Sequence, residues 1–351
     1  MTKFDFSLLA RVNETATQCS AEIRNKAEYF QVEEVLPFDA DGEGGHVWLK
    51  IQKKGINTDW LANELAKFSG VKPVAVGYAG LKDRHAITCQ WFSINLEGFD
   101  EPDWSEFETD DIHIIEKTRH GKKLKRGVLA GNQFKLRLTN IQGKKECWET
   151  SLRQIQKLGV PNYFGEQRFG HQMGNLDKVD YWFSTAKPPR KRTQKSLYLS
   201  AARSWLFNLV LTERVHRNNW NQPLMGDMML LSGTKASLFA VDKLDEELTT
   251  RLATMDIHPT AVMWGRGNIQ VKSDTLLLEQ QVLSDWNMWK QGLEKAGLNQ
   301  ERRALRVFPS DFSWQFLDND QLEITFFLPA GSYATAVLRE LAVCTNAQQR
   351  N

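Results

Sequence analysis

The sequence predicts an α+β protein of two domains, one of them discontinuous along the chain. Three observations carry that prediction. At 351 residues the chain is longer than one core usually organises, a domain taking roughly 100–200 residues. Its first 157 residues mix strand-like alternation with helical spacing, whereas helical periodicity dominates from Pro161 to about Pro309. Strand character returns at Leu322 to Leu328, as expected if the middle segment is inserted into a domain begun before it.

In chain order, Tyr29 to Leu36 and His46 to Gln52 alternate or cluster β-forming residues. Thr58 to Phe68 has helical spacing in Leu61, Leu65 and Phe68. Ala75 to Tyr78 and Trp91 to Leu96 read as buried strands on either side of a glycine-punctuated turn. Phe134, Leu136 and Leu138 alternate with Lys135, Arg137 and Thr139, the pattern of a strand with one buried face. Trp148 to Leu158 reads as a helix closed by Gly159. In the middle segment, Tyr198 to His216 carries Leu199, Ala202, Leu206, Leu209 and Val210 on one face, and Thr275 to Lys295 forms another long apolar-periodic stretch. Ser332 is expected to cap a last helix through Leu341. The run from Lys187 to Lys195, with Pro188 and Pro189, is expected to be a loop.

Composition narrows the class. With 41% hydrophobic and 25% charged residues and a mean hydropathy of -0.46, the chain reads as an ordinary folded protein. No stretch approaches the roughly 20 apolar residues of a bilayer span, and the N-terminal apolar run is too short for a secretory signal, so the expected location is cytoplasmic. Four scattered cysteines form no Cys-x-x-Cys pair, and seven histidines form no cluster with them. Neither a disulfide framework nor a metal site is expected. Net charge is only +2, but Lys117 to Arg126 holds six Lys or Arg residues and Lys187 to Lys195 holds five, with no acid in either run. Such concentrations suit a phosphate backbone or a merely solvated loop.

The most telling segment runs from Gly77 to Phe92, Gly-Tyr-Ala-Gly-Leu-Lys-Asp-Arg-His-Ala-Ile-Thr-Cys-Gln-Trp-Phe. It sets one carboxylate, Asp83, between Lys82 and Arg84 on a turn. Neighbouring positive charge favours the ionised acid, so Asp83 can serve as anion and nucleophile. A local surface ion pair would give the same short pattern.

The longer string resembles the signature of the TruD family of RNA pseudouridine synthases, with Ala86, Thr88, Gln90 and Trp91 matching beside Ala-Gly-Leu-Lys-Asp-Arg. Further matches follow in family order: Phe30-Gln31-Val32-Glu33-Glu34, Lys122 to Gly127, Gly131-Asn132-Gln133-Phe134, Pro161 to Gly170, and Leu328 to Thr335. The resemblance implies a pseudouridine-synthase-like catalytic domain with a mixed, mainly antiparallel sheet, formed by residues 1–157 and 306–351 and interrupted by a helix-rich insertion at 158–305. It implies isomerisation of uridine-13 in the D arm of tRNA, with Asp83 as catalytic nucleophile and no cofactor or metal. Asp83 would act on C6 of uracil or C1′ of the ribose, or as a base at C2′, three routes the residues leave open. Arg24, Lys82 and Arg84 are the expected partners of Asp83; the family usually carries lysine where this chain has Arg24. Phe30, Asn132, Phe134 and Tyr333 are expected at the bound nucleotide, with Phe134 stacking on the base. By periodicity alone Phe134 is an inward strand residue, and Phe30 and Tyr333 could be core. Lys122, Lys123, Lys125, Arg126, Arg190, Lys191 and Arg192 are expected on the RNA backbone, while Arg168 and Arg203 are expected to be structural. No membrane or obligate protein partner is indicated. A catalytically silent RNA-binding or folding factor on the same scaffold is the alternative.

Overall fold

Period-two burial builds most of one unit of this molecule and period-3.6 burial most of the other. The structure, a computed structural model, describes residues 4–234, 236–317 and 320–347. They cluster into a sheet unit, within Thr17–Trp148, Pro309–Gly331 and Ala342–Asn351, and a helical unit, within Met1–Ala16, Glu149–Phe308 and Ser332–Leu341.

The elements in chain order begin with β1 (Ser20–Ile23), β2 (Phe30–Val35), β3 (His46–Lys54), α1 (Thr58–Phe68), β4 (Val76–Tyr78), β5 (Ile87–Asn95), β6 (Ile112–His120), β7 (Gly131–Gln142) and α2 (Lys145–Leu158). Next come β8 (Val160–Pro161), α3 (Gly174–Thr185), α4 (Arg192–His216), β9 (Met228–Leu231), β10 (Leu238–Ala240), α5 (Glu246–Ala253), β11 (Ile257–Met263), α6 (Ser273–Val282), α7 (Asn287–Lys295), β12 (Glu301–Ala304) and β13 (Arg306–Val307). The last are β14 (Ser310–Phe316), β15 (Leu322–Pro329), α8 (Ala334–Leu341) and β16 (Val343–Asn346).

In the sheet unit the strand order is β14-β15-β7-β2-β5-β3-β6, with β1 added beside β7, β16 beside β1 and β4 beside β5. Only β1 with β16 and β2 with β5 run parallel; the other pairs are antiparallel. β15 shows why it pairs where it does: Leu322, Ile324, Phe326 and Leu328 are buried while Glu323, Thr325 and Phe327 between them are half-exposed. α1 starts where the Asn57 side chain accepts the Asp59 N–H at 2.8 Å, and it lays Leu61, Ala62, Leu65 and Ala66 against Val47, Leu49, Ile51, Phe92 and Ile94.

The helical unit is organised around α4, whose Leu206, Phe207, Val210 and Leu211 are buried among Phe169, Leu176, Val179 and Trp289. A four-stranded antiparallel sheet, β10-β9-β11-β12, and the β8–β13 pair complete it. Residues from both ends of the chain join this unit: the Glu340 carboxylate accepts the Val12 and Asn13 N–H groups at 3.0 and 3.1 Å. Among the described residues no helix is long and apolar enough to cross a membrane.

Three element expectations are corrected. The Lys187–Lys195 run is not all loop, because α4 begins at Arg192; residues 193–197 are exposed, so the first turn carries no apolar stripe to betray it. The Thr275–Lys295 stretch is two helices, α6 and α7, parted by a short 3-10 turn at Ser284–Trp286. α8 begins at Ala334, two residues beyond Ser332.

Candidate active site

The Asp83 loop is held on both sides. The Gln90 amide donates to the Gly80 carbonyl at 2.7 Å, and the Lys82 N–H donates to the Thr58 hydroxyl at 3.1 Å, which itself donates to Gln90 at 3.0 Å. Asp83 then turns the chain on itself, its Oδ1 accepting the His85 N–H at 3.0 Å. Its other oxygen, Oδ2, accepts from Arg24 Nη2 at 2.8 Å, and 26% of the Asp83 side chain stays exposed against 7% for Arg24. Arg24 has φ of 60°, a left-handed conformation that non-glycine residues adopt at a cost of order 1–3 kcal/mol, and its guanidinium lies 4.0 Å above the Phe30 ring. Burial lowers the Arg24 pKa from its usual value, and the Asp83 charge opposes that.

Of the three cations expected beside Asp83, only Arg24 pairs with it. Lys82 turns inward: its ammonium lies 2.8 Å from Glu34 Oε2 and donates to Asn132 Oδ1 at 2.8 Å. Arg84 points to solvent and has no ion-pair partner among the described residues. The reason is local. Glu34 is wholly buried and needs a counter-charge, and the turn at Asp83 sends successive side chains in different directions.

Strand register places a polar cluster under this loop. Val32 of β2 lies opposite Thr88 of β5 and Phe134 of β7, Glu34 lies opposite Asn132, and Lys53 of β3 lies opposite Thr88. Directly paired residues share a face, so Glu34, Lys53, Thr88, Gln90 and Asn132 form one polar patch in an otherwise apolar sheet. Lys53 is 1% exposed and donates to the Ile56 carbonyl at 2.7 Å. Its pKa is pulled down to about 8, first by burial and then by the Lys82 charge, with Asp83 opposing. Glu34 and Lys53 received no role from sequence patterning. The signal that could have found them is a charged residue on the buried parity of each strand: Glu34 after Phe30 and Val32, Lys53 after Leu49 and Ile51.

Phe134 is 7% exposed, and its ring stacks on Phe326 of the neighbouring β15 at 5.3 Å between centroids, 27° between planes. Phe30 is 4% exposed beneath Arg24. Tyr333 belongs to the helical unit, half-buried, where its hydroxyl accepts from Arg168; Arg168 also donates to Ser200 at 3.1 Å. Arg203 is buried in the same unit, donating to the Met263 and Asn299 carbonyls at 2.9 and 2.6 Å.

The basic run before β7 is anchored rather than loose. Trp48 Nε1 donates to the Lys122 carbonyl at 3.1 Å, the Leu124 N–H donates to Ser93 at 2.9 Å, and Leu124 itself is 2% exposed. Gly77 on β4 permits this approach, since a Cβ there would lie 2.3 Å from the Leu124 carbonyl oxygen. Lys122, Lys125 and Arg126 are exposed, whereas Lys123 is half-buried and donates to the Val74 carbonyl. A cleft of about 630 Å3 opens here, lined by Asp59, Asn63, Tyr78, Lys123, Lys125 and Arg126 among others, and Arg126 donates to the Tyr78 hydroxyl at 2.6 Å. In the helical unit Arg190, Lys191 and Arg192 lie at the surface, all three exposed.

The chain is similar to known proteins along most of its length. The family model for tRNA pseudouridine synthase D (TruD) matches residues 12–182 and 180–341. The tRNA pseudouridine synthase D of Nitrosococcus oceani is 49% identical over 324 residues, covering 92% of this chain and 90% of that protein. Those of Methylococcus capsulatus, 45% identical with 92% and 91% covered, and of Xanthomonas campestris, 44% identical with 98% and 96% covered, are similar to a like degree. A crystal structure of the putative tRNA pseudouridine synthase D from Methanosarcina mazei superposes with a TM-score of 0.71 at 21% identity over 95% of each chain, a likeness of fold. With the family model spanning the sheet unit's Asp83 loop and the helical unit alike, this chain belongs to the TruD family of tRNA pseudouridine synthases.

Proposed function

We propose that this protein isomerises uridine-13 in the D arm of tRNA to pseudouridine, with Asp83 as the nucleophile and without a cofactor, in the cytoplasm. The observation that carries the reading is the setting of Asp83: a carboxylate on a doubly pinned loop, held by Arg24 and the His85 N–H, with a quarter of its side chain open. The reaction breaks the N1–C1′ bond, turns the uracil, joins C5 to C1′ and releases the C5 proton. It needs a charged group fixed beside the nucleotide and exclusion of water while the base is free, rather than an added reagent. On this reading residues 1–157 and 306–351 make up the catalytic domain and residues 158–305 the insertion. Asn132, Lys82, Arg84 and Phe30 contact the nucleotide, and Phe134 is the wall for a base flipped out of the helix. The surface cations at Lys122, Lys125, Arg126 and Arg190 to Arg192, with Lys123, neutralise backbone phosphates.

Tritium release from C5-labelled tRNA tests the assignment. Asp83→Asn keeps the size of the side chain and loses the nucleophilic charge, so turnover should vanish while RNA affinity changes only modestly. Activity within tenfold of wild type would overturn the role of Asp83. Mapping pseudouridine in RNA from cells with and without the protein tests the position: loss at uridine-13 supports it, and no lost site favours a silent RNA-binding factor.

A further inference from the structure

We propose that Lys82, held by buried Glu34, converts Asn132 into a donor-only group that reads the C4 carbonyl of the target base and thereby prefers uridine to cytidine. The inference rests on the reading above, in which Asn132 faces a flipped uridine.

The geometry begins with register. Glu34 on β2 and Asn132 on β7 are directly opposite and share a face. Lys82 reaches both, at 2.8 Å to Glu34 Oε2 and 2.8 Å to Asn132 Oδ1, with 6% of its side chain exposed. An ammonium has three donors and no lone pair. Only the carbonyl end of the Asn132 amide can therefore face it, because a flipped amide would oppose N–H to N–H. An isolated asparagine offers a donor or an acceptor at will; this one offers its NH2 outward, and Nδ2 has no partner among the described residues.

The lock is rigid because its own parts are fixed. Glu34 is fully buried, and its Oε1 accepts the Trp91 N–H at 3.3 Å. The Lys82 backbone is tied to Thr58 at 3.1 Å, and the residue before Leu81 is tied to Gln90 at 2.7 Å, so the lysine stem cannot drift from its two partners. Removing the lysine alone would leave a buried carboxylate without a counter-charge, a costly state. Phe134 lies two residues from Asn132 on the same strand and so on the same face, which places the outward NH2 beside the aromatic wall.

The two pyrimidines share a carbonyl at C2 and differ at C4, where uracil accepts and cytosine donates through its amino group. A fixed donor pairs with the first and opposes the second. Leaving a half-buried donor against another donor costs on the order of tenfold to hundredfold in affinity.

Binding separates this from a merely structural role for Lys82. In an Asp83→Asn background, which prevents conversion, affinities are measured for two tRNA transcripts that differ only in uridine or cytidine at position 13. The parent should favour uridine by tenfold or more. Glu34→Gln with Lys82→Met removes both charges together and frees the amide to turn; it should fold, as read by its denaturation midpoint, and its preference should shrink to within about threefold. Asn132→Asp, an acceptor paired to Lys82, should move the preference toward cytidine. An unchanged ratio in the double variant, an undiminished uridine preference in Asn132→Asp, or no preference in the parent would each overturn the inference. The proposed activity is judged separately, by pseudouridine formation in wild-type protein on the uridine transcript.

Discussion

At the scale of residues, the Asp83 site combines a motif legible in the sequence with pairings that were not. The string around Asp83 pointed to the carboxylate, and of its three expected partners the structure pairs it with Arg24, 59 positions away, and with neither sequence neighbour, Lys82 or Arg84. Sequence proximity fails here because a tight turn splays neighbouring side chains, while a buried carboxylate, Glu34, draws off Lys82. Arg24→Ala should therefore lower turnover by at least tenfold, whereas Arg84→Ala should leave the state of Asp83 intact and act, if at all, on RNA affinity; single-turnover rates beside binding constants distinguish the two. Phe134 needs a different test from the one periodicity suggests. Its ring is 7% exposed and rests on Phe326, so truncation to alanine should cost about 3–5 kcal/mol of folding stability whether or not the base also stacks there. Phe134→Tyr is the informative variant: the hydroxyl should be tolerated with activity retained if the ring borders an opening, and near-normal turnover in the still-folded fraction of Phe134→Ala would remove the stacking role.

At the scale of elements, the strands and helices that bury one regular stripe were the legible ones. α1 spans Thr58–Phe68 as its spacing predicts, and β15 covers the expected Leu322 to Leu328 with one residue more. Elements whose buried face carries polar groups, or whose exposed face is charged, were hidden. β5 begins at Ile87, four residues ahead of the expected Trp91, because Thr88 and Gln90 are buried polar residues that break the apolar pattern, Gln90 holding the Gly80 carbonyl of the Asp83 loop. β6 lay behind the basic run, with Lys117 and Arg119 on an outer strand pairing with Glu101. The same distinction separates the cations at the proposed RNA surface. Lys122 and Lys125 are exposed, while Lys123 is half-buried and also donates to the Val74 carbonyl. Neutralising Lys122, Lys123 and Lys125 together should flatten the dependence of log K on log salt by about one for each phosphate left without its cation. Neutralising Arg190, Lys191 and Arg192 should flatten it by up to about three on the same basis. Unchanged slopes in both variants would leave these runs as solvated surface.

At the scale of the whole molecule, a discontinuous path was legible because strand character returns after Pro309, where the chain passes between units; the earlier passage, at Trp148–Glu149, comes about ten residues before the change of periodicity near Gly159. The membership of the chain's first residues and of α8 in the helical unit was not, because it depends on hydrogen bonds such as those of Glu340 with Val12 and Asn13 that no local pattern announces. Nor did sequence disclose the buried ionisable groups that make this unit's stability depend on pH. His258 on β11 is 9% exposed, and its Nδ1 accepts from Arg306 Nε at 3.2 Å, while Arg306 is itself held by the Leu252 and Ile257 carbonyls at 3.0 and 3.1 Å. Burial, then the Arg306 charge, lower the His258 pKa from 6.5 to about 4, with Asp256 opposing. Between those two values the unfolded chain binds a proton that the folded chain refuses, so stability falls as pH drops below about 6.5 and the loss is complete near pH 4. Its full size is about 3 kcal/mol. Glu279 and Glu340 have pKa values raised by burial and work in the opposite sense in the acid range, so the raw stability profile mixes several groups. His258→Gln keeps an acceptor for Arg306 and cannot titrate. Chemical denaturation of wild type and variant across pH 7 to 4 should therefore give a stability difference that shifts by about 3 kcal/mol in favour of the variant toward the acid end. A difference independent of pH would mean that His258 takes up its proton in the folded protein as readily as in the unfolded chain.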